Sequence, residues 1–264
     1  MAKEYDEAQA LSGEHPGAMG PSNREPVLWT GRDLVWATLT MLGLVVVSRA
    51  LVRWSACLVQ DLGVIVPPNS LVLLAMATAD QLVFLWVAWR FSLRKYRCGW
   101  GSLGFRPLRP GGLTWAGVGL LAGLVVNMVY ASLLNLAGQV LLLPPPSPVL
   151  FQPADLGLIT GWVSVGALLA PVAEETFFRG FVFGWLSHRY GTFWAAALSA
   201  LLFALFRLQL EETTPAGIVL VGFLGGLLLA RLYARADSLW PSILAHTSYN
   251  ATALLVEGLW TQIP

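Results

Sequence analysis

The stretch "APVAEETFFRGF", residues 170 to 181, places Glu174, Glu175 and Arg179 inside one of the most apolar parts of the chain. The surrounding sequence reads as a membrane helix, where each charge near the centre costs about 2.5–3.5 kcal/mol on insertion scales. Three charges kept against that cost mark the segment as a place where chemistry happens. On a helix Glu175 and Arg179 are four residues apart and share a face, so they can pair as an ion clamp. Glu174 is turned by about 100° from Glu175 and has no such partner in its own helix. An intramembrane carboxylate of that kind is a candidate general base or cation ligand.

The whole chain fits this setting. Of its 264 residues 56% are hydrophobic and only 12% are charged, with a mean hydropathy of +0.65. That is too little polar material to cover a soluble globule, so the composition predicts an integral membrane protein. A net charge of +1 gives no field to attract nucleic acid, and nucleic-acid binding is set aside. Cys57 and Cys98 fall in separate connectors with no metal-ligand spacing and are not expected to form a disulfide.

Apolar runs long enough for a bilayer core of about 30 Å recur at 33–54, 70–91, 113–142, 155–187, 192–209, 215–233 and 240–259. They predict an all-α, polytopic transmembrane helical bundle of seven spans, or eight if the overlong fourth run divides or kinks at Pro171. Residues 1–32 read as a polar, flexible tail, and residues 33–104 hold two spans and a basic connector. The connector "LLLPPPSPVLFQP" reads as an ordered, proline-stiffened loop. The glycine-rich faces "GVGLLAG" (117–123) and "GFLGG" (222–226) suit close helix packing.

Arg90, Arg94, Lys95, Arg97, Arg106 and Arg109 crowd one connector, and Arg189, Arg231 and Arg235 share its side if the spans alternate. That side is expected to be cytoplasmic, with the N-terminus on it. Arg49 and Arg53 break the pattern, and are expected to snorkel or to face the bundle interior. Counting from the cytoplasmic side at 1.5 Å per residue, Glu174 and Glu175 lie about 18–20 Å deep, Arg207 about 22 Å, His246 about 10 Å and Asn250 about 16 Å. One polar layer can therefore hold them all. His246 and Asn250, in "AHTSYN", are four residues apart. They read either as a helix-to-helix hydrogen-bonding pair or as donors for a developing oxyanion. His188, beside Arg189, reads as an interfacial residue.

"EETFFR" fits Glu-Glu-x-x-x-Arg, and "HTSYN" fits His-x-x-x-Asn downstream of it. This ordered pair resembles the first and last motifs of the CAAX protease and bacteriocin-processing (Abi) family, which includes the type II CAAX prenyl endopeptidases. The resemblance covers residues 105–259, starting near "LGFRPLRPG". It implies an intramembrane endopeptidase acting on a membrane-associated peptide or protein in the lipid bilayer, in a bacterial inner membrane. Glu174 would activate the water, His246 and Asn250 would stabilise the oxyanion, and Glu175 and Arg179 would support the site. The family is described as metal-associated or metal-independent. A divalent metal such as zinc, if any, would fall to Glu174 and His246.

The family's middle motif is Phe-x-x-x-His. Here Phe203 is in place, and Arg207 stands where the histidine would be. Arginine stays protonated and can neither accept a proton nor ligate a metal. Two further readings follow: a proteolytically silent relative that binds a membrane peptide or serves as an immunity or scaffold protein, and, more remotely, a small transporter. No related halves with paired broken helices occur to support the last.

Overall fold

The computed structural model of the protein describes residues 27–63, 69–108, 111–141, 156–208 and 215–260, and no strand occurs among them. Helix α1 (Gly31–Asp61) packs on α2 (Asn69–Trp89), which runs on into a π-helical turn, Arg90–Arg94. A short 3-10 turn, Trp100–Leu103, precedes α3 (Gly112–Leu141). Next comes a composite rod: α4 (Leu156–Trp162), π-helical Val163–Leu169, α5 (Ala170–Glu175), π-helical Thr176–Phe183 and α6 (Gly184–Leu208). Helices α7 (Pro215–Ala236) and α8 (Trp240–Trp260) complete the bundle.

Among the described residues, three helical stretches are long and apolar enough to cross a bilayer: Gly31–Asp61, Asn69–Arg94 and Leu156–Arg207. The apolar runs at 113–142, 215–233 and 240–259 fall on α3, α7 and α8. Large apolar side chains such as Trp36, Val46 and Leu51 on α1 are exposed on the outside of the bundle, as a lipid-facing surface requires. This is an all-helical integral membrane protein.

The rod explains how charges come to lie in the core. Every residue from Ala173 to Gly184 is buried, so this segment is enclosed on all sides. Phe84 of α2 anchors it, with ring centroids 5.4, 5.6 and 4.6 Å from Phe177, Phe178 and Phe206. The rod does not divide at Pro171, where the backbone stays helical through Leu169 and Ala170. The proline opens α5, directly after a π-helical segment, where a missing N–H leaves least unsatisfied. The interruption comes at Gly191, whose φ of 79° and ψ of 167° leave the helical region. It falls between the fourth and fifth apolar runs.

Both glycine-rich faces sit at helix contacts. A Cβ on Gly123 of α3 would lie 2.5 Å from Ser248 Oγ of α8, and one on Gly226 of α7 would lie 2.9 Å from Ala200 Cβ of α6. Only glycine lets the backbones come this close. The connector around "LGFRPLRPG" is held down at three points. Leu239 N–H donates to Gly104 O at 2.9 Å, Arg106 Nη1 reaches Asp237 Oδ1 at 2.9 Å, and Ser238 Oγ donates to Arg106 O at 2.8 Å.

Within the polar tail read as residues 1–32, residues 1–26 lie outside the described residues. Its last part is built in: Trp29 is buried, and its Nε1 donates to Phe181 O at 3.0 Å. Thr30 caps α1 in a reciprocal capping box with Asp33, which also binds Lys95 and Tyr96. From Leu142 on, the proline-rich connector also lies outside the described residues. Cys57 and Cys98 are free.

Candidate active site

The rod, α6 and α8 bring five of the polar residues named above into one cluster. Glu175 and Arg179 form the expected clamp, with Nη1 to Oε1 at 2.8 Å and both side chains fully buried. Arg179 Nη2 also donates to Gly226 O at 3.1 Å. That bond depends on the close approach of α7 which Gly226 permits. The guanidinium lies 4.6 Å from the ring centroid of Phe203, a cation–π contact in a desolvated place. Phe203 in turn stacks edge-on against His246, with centroids 5.7 Å apart.

His246 is 2% exposed and joins the two glutamates. Its Nδ1 lies 3.0 Å from Glu175 Oε1, the oxygen that Arg179 also holds. With Nδ1–H donating to this carboxylate, the neutral ring presents Nε2 as an acceptor. Nε2 lies 3.7 Å from Glu174 Oε2, and Arg207 Nη1 lies 3.9 Å from the same oxygen. Both distances are beyond a direct hydrogen bond. Glu174 Oε2 has no hydrogen-bond partner, although the side chain is only 4% exposed. A buried carboxylate oxygen left in this way carries a full desolvation penalty unless something small fills the gap. Arg207 is 23% exposed and marks the more open side of the cluster.

Of the two readings of Asn250, a helix-to-helix hydrogen bond or a donor for an oxyanion, its observed bond fits the first. Its Nδ2 donates at 2.8 Å to Gly166 O, a carbonyl of the π-helical segment Val163–Leu169. His188 is exposed. Among the described residues, no three His, Cys, Asp or Glu side chains are grouped to hold a metal ion.

One group was not singled out in the sequence. Asp80, midway along α2, is 1% exposed, and its Oδ2 accepts from Arg49 Nε at 3.0 Å and Arg49 Nη2 at 2.6 Å. Arg49 therefore turns inward. Asp80 lies near enough to Glu174 for the two carboxylates to interact, and its Oδ1 is buried without a hydrogen-bond partner. The missed signal was an aspartate inside an apolar run, about three turns from the start of its helix.

Fold and cluster together define a polytopic helical membrane protein with a buried carboxylate–imidazole centre. Residues 156–252 match the model of a family described as type II CAAX prenyl endopeptidase Rce1-like, which bears out the resemblance read from the two motifs. The matched segment contains Glu174, Glu175, Arg179, Phe203, Arg207, His246 and Asn250. The chain is also similar to a Bacillus subtilis (strain 168) protein described as "Putative membrane peptidase YdiL", with 27% identity over 95 residues. That match spans 36% of this chain and 36% of the relative's length. No solved structure matches the chain.

Proposed function

We propose that this protein is an intramembrane endopeptidase in which Glu174 activates the attacking water. The observation that carries this reading is the orphaned Oε2 of Glu174, with His246 Nε2 at 3.7 Å and Arg207 Nη1 at 3.9 Å. Oε2 and Nε2 are both acceptors in the neutral-ring state, so a water between them donates one proton to each and turns its lone pair outward. Glu174 takes one of these protons as the water oxygen bonds to the scissile carbonyl carbon. The carbonyl oxygen becomes an oxyanion, and the permanent cation of Arg207 stabilises it. When the C–N bond breaks, the proton on Glu174 passes to the leaving amine and the carboxylate is restored.

This assigns new roles within the motif set. His246 holds the water, while Arg207, standing where the resemblance implies a histidine, acts as an electrophile and not as a base. Glu175 and Arg179 fix the imidazole tautomer, and Asn250 fastens α8 to the rod. Glu174 Oε2 and His246 Nε2, 3.7 Å apart, are the two acceptors left open; Glu175 Oε1 and His246 Nδ1 are spent on each other, and the Arg207 guanidinium stands 3.9 Å from the same Oε2, where its charge opposes a second cation. No step above needs a metal. The substrate is a membrane-associated peptide or protein, and the basic connectors support a bacterial inner-membrane setting with the N-terminus cytoplasmic.

One observation favours a second reading. The Arg207 guanidinium, 3.9 Å from Glu174 Oε2, takes the place where the resemblance implies a proton-accepting histidine, as in a silent relative that only binds membrane peptides. Purified wild type, Glu174→Ala and Arg207→His, each tested on a library of membrane-anchored reporter peptides, separate the two. Cleavage by wild type, lost in Glu174→Ala and reduced in Arg207→His, is the expected result. No cleavage by wild type, with cleavage appearing in Arg207→His, would establish the silent form.

A further inference from the structure

At the basic end of α2 a cleft of about 460 Å³ is lined by Trp86, Trp89, Arg90 and Arg94. The four side chains follow from helical spacing: positions 86, 90 and 94 are each one turn apart, and 89 is adjacent to 90. All four residues are exposed. Neither arginine has an acidic partner among the described residues. The contrast with Lys95 is direct, because the next basic residue along is paired with Asp33. Two guanidiniums one turn apart, without a counter-ion, form a ready fork for a phosphate group, and indole N–H groups beside them add donors.

The surroundings decide what carries the phosphate. This end of α2 closes the span Asn69–Arg94, and tryptophans one turn inside a span's end belong at headgroup level. Below the cleft the same exposed stripe continues through Trp86 to Leu82, 46% and 55% exposed. An acyl chain can lie along that apolar ridge while its headgroup sits between the arginines.

We propose that the Trp86–Trp89–Arg90–Arg94 cleft is a binding site for an anionic phospholipid, with the phosphate on the arginines and an acyl chain along Trp86 and Leu82. This reading does not depend on the chemistry of Glu174. It adds to the general attraction of basic segments for anionic membranes a specific, stoichiometric site.

Native mass spectrometry of the full chain, released from nanodiscs of mixed phosphatidylglycerol and phosphatidylcholine, tests the proposal. Wild type should retain one phosphatidylglycerol in preference to phosphatidylcholine. Arg90→Gln with Arg94→Gln should lower that retention by about thirtyfold, while an exposed control pair, Arg189→Gln with Arg235→Gln, should leave it unchanged. Leu82→Ser, with both arginines intact, should weaken phosphatidylglycerol without changing any competition by inorganic phosphate. Equal retention of both lipids, or equal retention by the Arg90/Arg94 variant with an unchanged melting curve, would overturn the proposal. So would displacement of phosphatidylglycerol by millimolar inorganic phosphate, since the site would then serve a free anion.

Discussion

Two neighbouring glutamates on one rod meet opposite fates. Glu175 is clamped through one oxygen: Oε1 is held by Arg179 at 2.8 Å and by His246 at 3.0 Å, and the arginine is tied on to Gly226, while Oε2 is buried without a hydrogen bond. Glu174, one residue earlier, faces His246 and Arg207 across 3.7 and 3.9 Å and bonds to neither through Oε2. A carboxylate with an oxygen clamped by a cation and an imidazole is a structural device, whereas one whose Oε2 has its neighbours just beyond hydrogen-bond range can share a water that bridges them from the side. The same chemical group does both jobs because the rod turns about 100° between them.

If that contrast is right, the largest effect belongs to the open side. Glu174→Gln is expected to lower reporter cleavage by about 10²–10⁴-fold, the usual weight of a general base, with no change in the thermal melting of the detergent-solubilised protein. Loss of folding in this variant would break the comparison, since it would make Glu174 structural too.

Arg179→Ala is expected to fail in the opposite manner. It leaves the Glu175 carboxylate buried without its cation and should destabilise the protein by about 3–5 kcal/mol, seen as a collapse of the melting transition and of the yield from membranes. Asp80→Asn strands the inward-turned Arg49, which is more exposed than Arg179. The expected cost is about 1.5–3 kcal/mol, that of a charged hydrogen bond, read by the same melts. An unchanged melt would mean that Arg49 can snorkel away at no cost.

The smallest change tests the support behind the clamp. Gly226→Ala would press a methyl group against Ala200, at 2.9 Å from its Cβ, and should cost about 1–3 kcal/mol as overpacking. Its cleavage rate should fall less than that of Glu174→Gln, because only the third leg of the clamp is moved.

Much of this contrast was legible beforehand. The i,i+4 spacing of Glu175 and Arg179 forecast their pairing, because neighbours on one helix face meet wherever the helix lies. Depth counting placed Arg207 level with the glutamates but His246 about 8–10 Å shallower, whereas His246 Nδ1 lies 3.0 Å from Glu175 Oε1. The i,i+4 spacing of His246 and Asn250 left open a helix-to-helix hydrogen bond or a pair of oxyanion donors. A third element, the π-helical segment at Gly166, captured the Asn250 amide. At Pro171 the rod does not divide: a proline breaks a helix only where its missing N–H is needed, and a π-to-α junction does not need it.

The sequence by itself determined that this is a helical membrane protein, that its charges sit where lipid would expel them, and that one motif position carries an arginine. Composition and periodicity settle such matters, since they depend only on local spacing and on the cost of transfer into a bilayer. Only the tertiary structure decided that His246 turns Nδ1 to Glu175 and Nε2 towards Glu174, that Arg207 stands 3.9 Å from Glu174 Oε2, and that Asp80 of α2 lies close enough to interact with Glu174. Those outcomes rest on contacts between helices far apart in the chain. Gly226 shows the link: it lets α7 approach Ala200 of α6, and its carbonyl then reaches Arg179 at 3.1 Å.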